Sequence, residues 1–126
     1  MALAVGGAVE AHHSLSGMYD QSRRVMVDGT ISQYQFVNPH PFVMIDVTDA
    51  NGAVQSWKAE LDNRRELLDV GMTATTIKPG DRVVVSGSPG RNPTPPLLYV
   101  WRTERPADGF LYEQIGTSPR VTRLHR

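Results

Sequence analysis

The residues best suited to chemistry are histidines, and three of the chain's four are placed where they could act together. His12 and His13 are adjacent and precede Ser14, while His40 stands between Pro39 and Pro41. A neutral imidazole is the commonest metal ligand in proteins. Two or three imidazoles suit Cu(II), with zinc, nickel and cobalt as competitors. If the chain is cut before His12, the new α-amine and the His12 ring can chelate one ion, and His13 or His40 can supply a third nitrogen. A cut before Ala11 leaves Ala-His-His, which binds Cu(II) through amine, backbone amides and imidazole. With Met1 attached, only the side chains remain. The competing reading of His12 and His13 is a solvated polar pair. For His40, two prolines fix the backbone and hold the ring in one direction. The competing reading there is a turn capped by the Asn38 side chain.

The remaining candidates are less specific. His125 lies in an Arg-rich tail and reads as inert. Asp20, Glu60, Asp62 and Glu113 are available as a fourth ligand or a base, and spacing selects none of them. Tyr34, Phe42, Trp57, Tyr99 and Trp101 are ligand-binding candidates if they form a stacking face, and core residues if they do not. Asp46 and Lys58 read as a cross-strand charge pair, and Arg64-Arg65 as a solvated helix face. Ser14 beside His13 is adjacency, not a nucleophile–base pair. No nucleophile elbow, phosphate-binding glycine loop or His-Glu-x-x-His helix is present, so the chain does not read as an enzyme of those classes. Cysteine is absent, which removes disulfides, thiolate metal sites and cysteine nucleophiles. Lys plus Arg is 13 and Asp plus Glu is 13, so no net charge draws the chain to nucleic acid or an anionic membrane.

These side chains must be positioned by strands. The 126 residues suit one domain, and Gly 11 with Pro 9 favours turns over long helices. Val25, Val27 and Ile31 alternate with polar residues, then Tyr34 and Phe36 fall on the opposite parity. That shift predicts a bulge at Gly29 or at the Ser32–Gln33 step. Val43, Ile45 and Val47 share a face of a second strand. Asp49-Ala50-Asn51-Gly52 is a hairpin turn, and Val54 to Leu61 is the return strand. Asp62 is expected to cap a short helix from Arg64 to Val70, stopped by Gly71. Met72 to Ile77 reads as a further helical turn, and Lys78-Pro79-Gly80-Asp81 as a type II turn. Strands are expected at Arg82 to Gly87, Leu97 to Thr103 and Phe110 to Ile115. The expected fold is all-β, a small five- to six-stranded barrel with one short helix between its third and fourth strands. That arrangement is of the oligonucleotide/oligosaccharide-binding (OB) type. The barrel domain is expected over 12–115, with a loose basic tail over 116–126.

Ala2 to Val9 is a small apolar run, and Val9 and Ala11 fit the small-residue rule for cleavage before His12. No Lys or Arg precedes the run. Residues 1–11 therefore read as a signal-peptide remnant or a disordered segment, too short to span a bilayer. Ala11-His12-His13-Ser14, Tyr19-Asp20, Gly29-Thr30-Ile31 and Val37-Asn38-Pro39-His40 follow in order. With the Trp57 strand and Ile77-Lys78-Pro79-Gly80-Asp81-Arg82-Val83, they resemble the domain of unknown function 6152 family of small exported bacterial proteins. The resemblance covers roughly His12 to Arg102. It implies export, to the periplasm or outside the cell, and a small β-barrel; it implies no activity. It also makes joint use of His12, His13 and His40 more plausible.

The expected function is metal binding without catalysis, copper first and zinc as competitor, through His12, His13 and His40. The second class is a module that docks a small molecule or a protein, including a second copy, on an aromatic face or strand edge. The third is a metalloenzyme with an open coordination position.

Overall fold

Alternating apolar residues build a meander of three strands, β1 (Val25–Gln35), β2 (Phe42–Thr48) and β3 (Val54–Glu60). After the helix Arg64–Asp69 come β4 (Arg82–Pro89), β5 (Leu97–Arg105), β6 (Phe110–Ile115) and β7 (Ser118–Thr122). The computed structural model describes residues 15–123. The expectations for His12, His13, Ser14 and His125 lie outside the described residues.

The strand order is β3-β2-β1-β4-β5-β6-β7, and β3 also pairs in parallel with β5. The ring β1-β2-β3-β5-β4 is thus a closed five-stranded mixed barrel, and β6 and β7 continue outward from β5. This is the OB connectivity, with the helix between the third and fourth strands. Two outer strands are added to it. β1 serves two partners: Val25–Thr30 pair with β4, and Thr30–Gln35 pair with β2. The register shifts between Ile31 and Gln33, at the predicted step. The extra residue bends the strand, so its two halves pair with different strands of the closed sheet.

Inside the barrel, Ile31, Val43, Ile45, Ala59, Val83, Val85, Leu98 and Val100 are buried, with Leu67 from the helix and Phe110 and Tyr112 from β6. Gly29 and Gly87 are required by close strand approach. A Cβ on Gly87 would meet the Tyr99 carbonyl oxygen, and one on Gly29 the Asp46 oxygen. At the other end, buried Arg105 donates to the Thr76 carbonyl (2.7 Å) and to Asp81 (3.1 Å). It also makes a two-pronged pair with Asp108 at 2.9 Å on each prong. The fork of Arg matches a carboxylate in this way, which satisfies a charge that burial would otherwise penalise.

Several local expectations are corrected. The helix cap is Asn63, not Asp62: Asn63 Oδ1 accepts from the Glu66 amide at 2.9 Å. Residues 72–77 form a turn rather than helix, closed by Thr76 Oγ1, which accepts from the Thr73 amide at 2.8 Å. Residues 118–122 form β7 instead of a loose tail, because Leu111–Ile115 offer it a free edge. Asp46 faces Ser56 and Lys58 faces Met44, so the two charges are not opposite each other. The Lys58 ammonium instead lies 4.4 Å from the centre of the Phe42 ring. Residues 15–18 are also helical.

Gly87→Ala is expected to cost about 1–3 kcal/mol or more, the usual penalty of forcing atoms into a packed core. Gly17→Ala, where a Cβ meets nothing, should leave stability unchanged or raise it by about 0.5–1 kcal/mol. Urea midpoints of the two variants measure both effects. Equal midpoints would show that the barrel tolerates a wider strand separation than the structure has.

Candidate functional site: a cavity at the barrel mouth

His40 is carried by the loop between β1 and β2, and that loop is stitched down on both sides of it. The Pro39 carbonyl accepts from the Arg64 amide at 3.2 Å, and the Pro41 carbonyl accepts from the Leu61 amide at 2.9 Å. His40 Nδ1 is 2.8 Å from the Leu61 carbonyl oxygen. A carbonyl can only accept, so Nδ1 carries the proton and the neutral ring keeps its lone pair on Nε2. The side chain is partly exposed, and Glu60 Oε2 lies 3.6 Å from the same Nδ1.

Glu60 is the last residue of β3. Its Oε1 accepts from the Tyr19 hydroxyl at 2.7 Å. Tyr19 is held by its own amide on the Leu15 carbonyl (2.8 Å), by a β-bridge to Gly90, and by a tilted ring contact with Tyr99 at 5.8 Å. Asp62, two residues after Glu60, is buried. Its Oδ1 accepts from the Asn63 amide at 2.6 Å, and its Oδ2 from Gln114 Nε2 at 2.7 Å. The Tyr112 hydroxyl in turn donates to Gln114 Oε1 at 3.0 Å. Glu66, in the first turn of the helix, points its carboxyl back at Asp62. The hydrogen bond to Asp62 pushes its pKa up to about 7, with burial and the charges of Asp62 and Asp69 adding to the shift and His40 opposing it. Burial raises the Tyr19, Tyr99 and Tyr112 phenols well above their ordinary range, so all three remain neutral.

Tyr19, His40, Glu60, Asp62, Glu66 and Gln114 line a cavity of about 590 Å³. Leu15 and Met18 wall one side, and Tyr99 and Trp101 line another part of it. Trp101 is fixed by its Nε1, which donates to Ser88 Oγ at 2.8 Å, and Arg24 stacks on its ring at 4.4 Å. Among the described residues, the lining contains Glu60, Asp62 and Glu66 and neither a Lys nor an Arg. A smaller cleft of about 280 Å³ lies on the other side of His40 and Glu60, bordered by Phe42 and Lys58.

The aromatic candidates are therefore divided. Tyr99 and Trp101 line the main cavity, and Phe42 borders the smaller cleft. Tyr34 and Trp57 pack against the barrel core, so the five rings do not form one platform. Of the acids, Glu60 and Asp62 join His40, whereas Asp20 accepts from Ser22 and Glu113 pairs with Arg120. No group of three or more His, Asp or Glu side chains among the described residues is arranged to hold a metal ion. No helix among them is long and apolar enough to cross a membrane. Tyr19, Glu66 and Gln114 were missed from sequence. Glu66 had a legible signal, since Asn63 with Glu66 three residues later is a helix-start pattern that turns the acid back toward the cap.

The Glu66 proton ties stability to pH. The folded chain holds it up to about pH 7, whereas the unfolded chain releases it near the ordinary glutamate value of 4.5. Its contribution is full below the unfolded value and is lost as pH rises through the folded one. Glu66→Gln cannot titrate, so its melting temperature should gain on wild type as pH rises from 4.5 to about 7. Thermal scans of both proteins across that window measure the difference. A constant gap would mean that Glu66 and Asp62 share no proton.

A family model described as a family of unknown function, DUF6152, matches residues 1–95. The match includes His12, His13 and the Asn38-Pro39-His40 turn and stops before β5. No curated protein matches the chain. With three quarters of its length matched, the chain belongs to the DUF6152 family.

Proposed function

We propose that this protein is an exported, non-catalytic metal-binding protein. It takes copper first, with zinc as competitor. The observation that carries the reading is the His40 Nδ1–Leu61 carbonyl hydrogen bond of 2.8 Å. It fixes the tautomer and orientation that a ligating imidazole needs and leaves Nε2 as the free donor atom. Leu15 lines the same cavity as His40, and His13 and His12 stand two and three residues before it in sequence. Three residues span at most about 11 Å, so both rings lie within that distance of the cavity wall at Leu15. Three imidazoles favour copper or zinc over calcium or magnesium, which prefer oxygen. The carboxylates of the cavity concentrate cations near the site without having to ligate them. Export rests on the leader-like run Ala2 to Val9.

Calorimetric titration of copper and zinc into the wild-type protein, His40→Ala and the double variant His12→Ala/His13→Ala tests this. One-to-one copper binding should weaken about tenfold or more in each variant, equivalent to about 1.4 kcal/mol. A chain beginning at His12 should bind copper more tightly than the full chain if the α-amine joins the site. Copper affinity indifferent to all three histidines would remove the proposal.

A further inference from the structure

The cavity is much larger than a metal ion requires, and its chemistry points to a second kind of occupant. At about 590 Å³ it falls in the range of small-molecule sites, roughly 300–1,000 Å³. Its walls combine apolar surface from Leu15, Met18 and Trp101 with a few convergent polar groups, the usual make-up of an organic ligand site. The sign of its charge is one-sided, with Glu60, Asp62 and Glu66 in the lining and no Lys or Arg. An anionic ligand, phosphate or carboxylate, would meet only repulsion there.

The carboxylates differ in what they can offer. Both oxygens of Asp62 already accept hydrogen bonds, from Asn63 and Gln114. Glu60 uses Oε1 for the Tyr19 hydroxyl, and its Oε2 is 3.6 Å from His40 Nδ1, beyond hydrogen-bond range. With the Glu66 carboxyl turned to Asp62, Oε2 of Glu60 is the carboxylate oxygen that a ligand can still use. We propose that the cavity takes a small organic ammonium cation, an aryl- or alkylamine whose –NH₃⁺ group donates to Glu60 and whose apolar part packs on Met18, Leu15 and Trp101. Charge-assisted hydrogen bonds of this kind are about twice as strong as neutral ones. This goes beyond the metal reading and does not depend on His12 or His13.

The test uses the full chain with EDTA throughout, so that metal binding neither helps nor hides the result. The probes are 2-phenylethylammonium, the neutral 2-phenylethanol and the anionic 3-phenylpropionate, followed by amide chemical shifts and calorimetry. The ammonium should bind about tenfold or more tightly than the alcohol, with shifts at Glu60, Met18 and Trp101, and the propionate should not bind there. Glu60→Gln keeps the acceptor for Tyr19 and removes the charge, so it should abolish the preference for ammonium and leave the alcohol unchanged. Equal affinity for ammonium and alcohol in the wild-type protein would overturn the proposal. So would shifts confined to residues outside the cavity, or no binding by any probe. None of those results would alter the outcome of the copper titration.

Discussion

A meander of twisted strands ends in two unpaired edges, and an exposed edge invites pairing with another chain. Here the difficulty is met by three residue pairs. Lys58, Ala59 and Glu60 of β3 pair in parallel with Leu97, Leu98 and Tyr99 of β5. The pairing is brief because the Arg102–Arg105 half of β5 pairs with β6 on that edge, while Arg102–Glu104 stay paired with β4 on the other. Ala59 and Leu98 meet at the seam and are fully buried. The Lys58 amide donates to the Pro96 carbonyl at 3.1 Å and extends the seam by one bond. Closure also fixes the site. It sets Glu60 beside Tyr99, and the chain leaving β3 at that point must cross the barrel end as Leu61, Asp62 and the short helix. Every acid of the cavity lies on this stretch of chain.

Three carboxylates in one cavity without a cation need another source of stabilisation. Neutral donors provide it: the Tyr19 hydroxyl for Glu60, the Asn63 amide and Gln114 for Asp62, and a shared proton for Glu66. Three arginines are committed to other acids, Arg105 to Asp81 and Asp108, Arg82 to Asp28, and Arg120 to Glu113. The chain is neutral as a whole, yet the cavity lining carries three carboxylates. Held by hydrogen bonds rather than by ion pairs, these carboxylates can turn toward an incoming cation without first breaking a salt bridge.

The barrel was legible because its signals are local and repeated. The bulge in β1 shows as a parity change around Ser32, the β2–β3 turn as Asn51-Gly52, and the turn before β4 as Pro79-Gly80. The helix cap was misread by one residue, because Asp62 and Asn63 are both good caps and only packing decides between them. Asp62 is drawn into the cavity by Gln114, 52 positions away, and no local pattern encodes that distance. The β7 sequence reads as a loose tail because Arg120, Arg123 and Arg126 recur near the chain end. Its stability comes from the β6 edge, not from its own composition. The site was half legible. His40 stood out through its flanking prolines, and Glu60 and Asp62 were among the candidates, but nothing local linked Tyr19 or Glu66 to them.

The N-terminal segment is part of the cavity and not an appendage to it. The Asp20 amide donates to the Pro89 carbonyl at 2.8 Å, the Arg91 amide to the Met18 carbonyl at 2.9 Å, and Arg91 Nε to the Ser16 carbonyl at 2.6 Å. These bonds lay residues 16–20 along the end of β4 and the β4–β5 loop. In OB barrels, that loop and the β1–β2 loop flank the usual ligand face. In this chain the β1–β2 loop supplies His40, and the ground beside the β4–β5 loop is filled by the protein's own segment. What remains is a partly open space with three carboxylates in its lining, shared between Leu15 and Met18 of the N-terminal segment and Pro39 and His40 of the β1–β2 loop. A ligand that fills it meets both segments together.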